Sequence, residues 1–286
     1  MSVIVELALL LLLLLFYCPI LNILGVLYAI FVYAWSTLLV AKANDYGHIA
    51  ITRTHIGKRL LLMHDGVIHS VQNTFDQTPE GYCYPGSGAA DVLSQDSIIP
   101  DQAQIALIGL GTGAILHYAR PGQQWICYEV NAAVADIAAD PTLFTFLSKC
   151  PAQVTISYVD GFVAVDKLGQ LDVVIVDAFF ADNNLGTQAA LANSICQTTS
   201  ANALFLLHVS GLSDQEIDDV VRLSISYEFT SAIKETPSYD TKVNRCSLND
   251  FRYPFQMPAK WLVLSHERNH ITTLLALPDW RPCCSL

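Results

Sequence analysis

Apolar and polar positions along the chain follow three different patterns. From Val3 to Val40 the apolar side chains are nearly continuous, and Glu6 is the single charge among them. A bilayer crossing takes about 20 apolar residues, so this stretch is long enough for one comfortable crossing or two short ones. Pro19 and Asn22 interrupt it near the middle. The pattern predicts a helical hairpin, with one helix through residues 9–15, a turn at 18–22 and a second helix over 23–40. A cleaved leader would begin with basic residues, whereas the early charge here is acidic. Residues 1–41 are therefore read as a transmembrane anchor.

Between 42 and 100 the apolar runs are short. Residues 49–53, 60–64 and 67–71 are strand-like, and Asp65-Gly66 between the last two is a hairpin turn signal. A small antiparallel β unit is expected, followed by a loop rich in Pro, Gly, Ser and Asp with one short helix near 89–93. From 101 to 286 the pattern changes again. Residues 104–109, 125–129, 154–159, 172–177 and 203–208 are nearly unbroken apolar runs, each followed by a stretch long enough for a helix. Such alternation predicts an α/β domain, Rossmann-like, with a mostly parallel sheet covered on both faces. Late strands are expected at 227–233 and 260–265, and a last helix at 266–276.

Composition sharpens this picture. The chain is 52% hydrophobic and 14% charged, with the apolar excess at its start. All 15 basic residues follow position 40, as do all but one of the 26 acidic ones. Lys42, Arg53, Lys58 and Arg59 come after the apolar stretch and no Lys or Arg comes before it, so the positive-inside rule puts the main domain on the cytoplasmic side of an inner or plasma membrane. An acidic domain excludes nucleic acid as a partner and favours a small cationic substrate. The eight cysteines are scattered without a CxxC pair, which fits free thiols in a reducing compartment. Cys283 stands four from the end as in a prenylation signal, but the residues after it are not aliphatic. His266-Glu267-Arg268-Asn269-His270 matches the zinc-protease pattern. It begins directly after a predicted strand, and no Glu or His follows as a third ligand, so no metal site is expected.

The chemistry gathers at one edge of the predicted sheet. Its first strand runs into Gly109-Leu110-Gly111-Thr112-Gly113, the second ends in Glu129, the third in Asp160-Gly161, and the fourth in Asp177, with Asp182 shortly after. Ligands of open parallel sheets bind outside the carboxyl ends of the strands. A carboxylate at Glu129 can accept from both hydroxyls of a ribose. The glycine spacing departs from the G-x-G-x-x-G of dinucleotide sites, and Asp160 and Asp177 would repel a pyrophosphate. An adenosyl ligand without phosphate fits better.

Residues 105–113 (IALIGLGTG), 128–130 (YEV), 158–161 (YVDG), 171–182 (LDVVIVDAFFAD) and 207–210 (LHVS) resemble the spermidine synthase family, and most of all the branch in which the synthase domain is joined to membrane helices. The likeness spans about 44–282. It implies a class I methyltransferase-like fold in which Gly109, Gly111, Gly113, Glu129, Asp160 and Gly161 hold the nucleoside. Glu129 would take the ribose and Asp160 the adenine amino group. Asp177 would be the catalytic residue that orients the amine and accepts its proton, and Gln72, Tyr84 and Asp182 would line the amine site. No tightly bound cofactor is implied. Decarboxylated S-adenosylmethionine would be the co-substrate and a diamine such as putrescine the acceptor. The resemblance leaves assembly into a homo-oligomer open.

Three positions depart from the soluble synthases: Thr112 stands where they carry Asp, His69 where they carry Gln, and Pro85 follows Tyr84 where they carry His. Two other functions therefore stay in view. One is a methyltransferase using intact S-adenosylmethionine. The other is a membrane protein that binds the nucleoside without turnover.

Overall fold

The computed structural model describes residues 36–54, 58–164, 171–178, 203–236 and 256–283. They form two sheets. The first is antiparallel in the order β1 (Ser36–Asn44), β2 (Gly47–Thr54), β3 (Arg59–His64), β4 (Val67–Asn73) and β5 (Pro79–Glu80). The β3–β4 turn has Asp65 at φ 47° and Gly66 at φ 81°. Two successive positive φ values are what a two-residue hairpin loop of the right twist requires, and Asp-Gly meets them at little cost.

One sequence expectation needs correction here. The second apolar helix does not reach Val40, because Ser36–Asn44 pairs along β2, from Ser36 opposite Thr54 to Asn44 opposite Gly47. The ladder satisfies the backbone donors and acceptors that a helix would otherwise have to pair, and Thr37 and Val40 are at home in a strand. The β unit thus begins at 36, ahead of the predicted boundary at 42. The rest of the predicted hairpin, over 1–35, lies outside the described residues. Among the described residues no helix is long and apolar enough to cross a membrane.

The second sheet contains β6 (Gln104–Ile108), β7 (Gln124–Tyr128), β8 (Gln153–Ser157), β9 (Val173–Val176), β10 (Leu204–His208), β11 (Thr230–Thr236), β12 (Ala259–Ser265) and β13 (Trp280–Pro282). Their spatial order is β13-β11-β12-β10-β9-β6-β7-β8. Strands β8, β7, β6, β9 and β10 run parallel, and β12, β11 and β13 are each antiparallel to their neighbours. Around it lie α1 (Gly88–Leu93), α2 (Ala132–Ala139), α3 (Gly161–Ala164), α4 (Asp214–Ser226) and α5 (Arg268–Leu275). Ser87 caps α1, Asn131 caps α2, and Ser213 with Glu216 forms a reciprocal capping box on α4. After β6 the expected helix is only a 3₁₀ turn over Ala114–Tyr118, since Pro121-Gly122 soon ends the segment.

Side chains alternate across a strand, so a sheet covered on both faces needs apolar residues at every position. Ile105, Leu107 and Ile175 enter one apolar core, which also takes in Ile49, Ile51, Leu60 and Leu62 of the first sheet. Ala106, Ile108, Val174 and Val176 enter the other. Polar side chains join the two sheets as well. Ser70 Oγ and Thr112 Oγ1 lie 2.6 Å apart, Asn44 Nδ2 donates to Asn131 Oδ1 at 2.7 Å, and Thr145 N donates to Gln72 Oε1 at 3.0 Å.

Candidate active site

The strand order reverses between β6 and β9: the chain moves outward through β7 and β8 and returns to the other side of β6. A crevice opens at the carboxyl ends of strands at such a reversal. Asp177 N donates to Ile108 O at 2.8 Å, and Gly109 N donates to Tyr128 O at 2.9 Å, so these chain ends lie side by side. Gly109 has φ +90°, and a Cβ built on it would stand 2.4 Å from the carbonyl oxygen of Asp177. Only glycine lets the loop pass this close to the acid's backbone. Gly113, at φ +81°, closes the loop with a hydrogen bond from its N to Leu110 O at 2.8 Å.

Glu129, just past β7, faces this loop. Its Oε2 accepts from Leu110 N at 3.2 Å and Gly111 N at 3.3 Å, and its Oε1 accepts from Asn131 N at 3.0 Å. Burial pushes the Glu129 carboxyl above the ordinary range, and these N–H donors oppose the rise. Asp160 is exposed, and its Oδ1 accepts from Phe162 N at 2.9 Å at the start of α3. Gly161 lets α3 sit directly on the sheet, since a Cβ there would fall 2.8 Å from Ile108 and 2.9 Å from Tyr128.

Asp177 has a partner that local sequence did not reveal. His208 Nδ1 lies 2.7 Å from Asp177 Oδ1, with side-chain exposures of 7% for the histidine and 23% for the aspartate. The other imidazole nitrogen, Nε2, lies 2.7 Å from Ser210 Oγ, which accepts from Lys260 N at 2.9 Å. The ring stacks on Trp261, 4.6 Å between centroids and 14° from parallel, and Tyr82 packs against it at 4.9 Å. Trp261 is in turn held by α1, where a Cβ on Gly88 would fall 2.6 Å from it. Tyr82 and Cys83 are pushed up, first by burial and then by the Asp177 charge. Burial pulls His69 down, and the Asp177 charge works against that.

The sequence-derived residues divide among these places. Gly109, Gly111, Gly113, Glu129 and Asp177 share the crevice. Gln72 is buried in the join between the sheets, with its amide engaged by Thr145 on both sides. Tyr84 hydrogen-bonds Thr236 near Asp91, and burial raises its phenol, whereas Tyr82 is the tyrosine beside Asp177 and His208. Asp182 lies outside the described residues. His208, at the carboxyl end of an apolar run, reads from the sequence as an edge or pocket residue, and Ser210 closes the 207–210 run of the resemblance, but the sequence assigns neither a role; Tyr82 carries no signal. In the zinc-like pattern, His270 Nδ1 pairs with Ser265 Oγ at 3.0 Å and His266 packs on Phe229. Among the described residues no His, Cys, Asp and Glu are grouped to hold a metal.

The geometry has counterparts among solved structures. A spermidine synthase from Thermotoga maritima superposes with a TM-score of 0.57 at 15% identity, over 82% of this chain and 75% of that one. A probable spermidine synthase from Corynebacterium glutamicum ATCC 13032 gives 0.59 at 13% identity, over 86% and 89%. A spermidine synthase in complex with the transition-state analogue AdoDATO gives 0.55 at 15%, over 82% and 74%. The chain has the spermidine synthase fold. No family model matches the sequence, and a search of curated proteins found no relative. At such identities the likeness speaks for the fold alone, and the chemistry rests on the residues in the crevice.

Proposed function

We propose that this chain moves an aminopropyl group from decarboxylated S-adenosylmethionine to a diamine such as putrescine. The observation that carries the reading is Asp177, a partly buried carboxylate at the strand reversal, bonded to His208 and directly against the glycine loop that Glu129 faces. In this reading the ribose displaces the loop N–H groups from Glu129, and the adenine lies toward Asp160. The sulfonium sits over the glycine loop, and the acceptor amine lies at Asp177. The amine arrives as an ammonium, since free alkyl amines hold their proton to about pH 10. It gives that proton to Asp177. The nitrogen lone pair then bonds the propyl carbon while the carbon–sulfur bond breaks onto sulfur, releasing neutral methylthioadenosine. In-line placement of nitrogen and carbon supplies much of the acceleration.

The two possible donors differ by one carboxylate. Loops 109–113 and 129–132 hold no Lys or Arg to receive it, and burying it without a partner is costly. This favours the decarboxylated donor. Thr112, buried and engaged by Ser70, takes one acid out of the glycine loop but brings in no positive charge, so the balance stays with the decarboxylated donor. From the apolar stretch before Ser36 and the basic residues that follow it, we assign the domain to the cytoplasmic face of a membrane. Calorimetric titration of the detergent-purified protein with decarboxylated S-adenosylmethionine, intact S-adenosylmethionine and methylthioadenosine tests the reading, together with product analysis on diamines. Tighter binding of the decarboxylated donor and an aminopropylated product are expected. Preference for the intact donor supports methyl transfer, and binding without any product supports a nucleoside sensor.

A further inference from the structure

We propose that Ser210 and His208 form a positioning relay that fixes one tautomer of the imidazole and thereby the orientation of Asp177. The inference rests on the aminopropyl-transfer reading and adds to it the residues that prepare the base.

The argument follows donor directions. The main-chain N–H of Lys260 can only donate, and it occupies a lone pair of Ser210 Oγ at 2.9 Å. The serine hydroxyl has one proton, and His208 Nε2 stands 2.7 Å away to accept it. Asp177 Oδ1, 2.7 Å from Nδ1, can only accept, so the neutral ring carries its proton on Nδ1 and Nε2 is left to take the serine proton. Every donor in the series points toward the carboxylate. The opposite tautomer would set the Nδ1 lone pair against an ionised oxygen at the same distance. The ring is also clamped by Trp261 and Tyr82 and cannot turn to exchange its nitrogens. Two features of register build the series. His208 and Ser210 flank Val209, whose N donates to Lys260 O at 2.8 Å, so β12 holds this corner from both sides.

The consequence for the base is direct. Oδ1 of Asp177 accepts from His208, and the ammonium proton goes to Oδ2. A charge-assisted hydrogen bond of this kind fixes the plane of the carboxylate and turns Oδ2 toward the substrate. Protonating the ring on Nε2 would put a positive charge beside Asp177 and weaken it as a base. The other titratable groups around the pair are Tyr82 and Cys83 from the segment after β5 and His69 from β4. Burial raises the first two and lowers the third.

The atoms are connected as in the Ser-His-Asp hydrolases, so the test must also separate a nucleophilic serine from a positioning one. It uses the full chain in detergent, with methylthioadenosine binding and thermal melts as controls for folding. An Asn amide nitrogen falls where Nδ1 of His lies, and a Gln amide nitrogen falls where Nε2 lies. His208→Asn keeps the donor to Asp177 and loses Ser210. His208→Gln keeps Ser210 and loses the donor to Asp177. We expect kcat to fall about tenfold in His208→Asn and Ser210→Ala, and about a hundredfold or more in His208→Gln. The loss should fall on kcat, with the diamine KM changed less than about threefold. The reverse order of the two His208 variants, or a loss that falls on the diamine KM with kcat unchanged, overturns the relay. So does covalent labelling of Ser210 by a fluorophosphonate. A readout free of turnover is the ¹⁵N spectrum of histidine-labelled protein. It should show His208 protonated on Nδ1 in the wild type, with the Nε2 resonance displaced in Ser210→Ala, where that nitrogen loses its hydrogen-bond donor. An Nε2-protonated ring in the wild type overturns the relay. An Nδ1-protonated ring in a protein that makes no aminopropylated product overturns the reaction and leaves the relay standing.

Discussion

Gly109 and Gly111 stand two residues apart in one loop, yet a single methyl group should act on them very differently. In Gly109→Ala the new Cβ would lie 2.4 Å from the carbonyl oxygen of Asp177 and 2.8 Å from its carbonyl carbon. An ordinary contact begins about 1 Å further out, and both neighbours are backbone that cannot swing aside, so the end of β9 must shift by roughly that much. The φ of +90° adds strain, about 1–2 kcal/mol for an L side chain, and crowding adds about 1–3 kcal/mol more. A displacement of about 1 Å at a catalytic group costs on the order of a hundredfold in rate. Gly111 has φ +54°, and nothing lies within 4 Å of a Cβ placed there. Gly111→Ala should therefore cost about 1–2 kcal/mol of strain alone and leave Asp177 where it is. Urea denaturation gives the two stabilities, calorimetry gives methylthioadenosine affinity, and turnover of donor plus diamine gives kcat. Gly109→Ala should lose about 2–5 kcal/mol and about a hundredfold in kcat, whereas Gly111→Ala keeps kcat within a few-fold. Equal effects at the two positions would refute the claim that Gly109 is required by contact with Asp177.

Other outcomes follow from the same geometry. Glu129→Ala should weaken methylthioadenosine binding by about 1.5–3 kcal/mol through lost charge-assisted hydrogen bonds to the ribose, and unchanged calorimetric affinity would remove Glu129 from the nucleoside site. Asp177→Asn should abolish product while donor affinity stays within a few-fold, and chromatographic detection of aminopropylated diamine at the wild-type rate would contradict its role as base. Burial lowers His117 below its unfolded value of about 6.5, with Asp76 opposing. The unfolded chain therefore binds this proton first, and the stability present above that value is lost as pH falls toward the folded one. Melting curves between about pH 7.5 and 5.5 should show wild type losing ground to His117→Gln on acidification, and a constant gap would count against it. Phe75 is 80% exposed, so a Phe75→Cys protein in intact cells should react with an impermeant maleimide only after permeabilisation if the domain faces the cytoplasm.

What the sequence made legible was whatever a strand carries within itself. An unbroken apolar run marks a strand buried on both faces, and the polar residue that ends it marks the edge, which is how Glu129 and Asp177 were found together. The hairpin at Asp65-Gly66 was legible because its backbone angles admit few other residues. Ser36–Asn44 was not, because an apolar run leading out of a membrane-like segment has no periodicity of its own. Its strand state is decided by β2, which comes later in the chain. The support behind Asp177 was hidden for a related reason. His208, Trp261 and Lys260 meet through the pairing of β10 with β12, which no local pattern encodes. The same holds for Gln72. A glutamine after a hairpin gives no sign that Thr145, far along the chain, will occupy both ends of its amide.

Strand β1 sets where the chain can be cut. It is the outermost strand of its sheet, and its last residue, Asn44, reaches across to Asn131, whose own N–H is held by Glu129. A protein trimmed to begin just before Ser36 sheds the apolar stretch and keeps this ladder whole. A protein trimmed past Asn44 bares the flank of β2, a row of open backbone groups ready to recruit a neighbouring molecule. It also takes a donor away from Asn131. Soluble material for crystals or screening should come from the first cut, and the second should yield aggregates with a loosened nucleoside pocket.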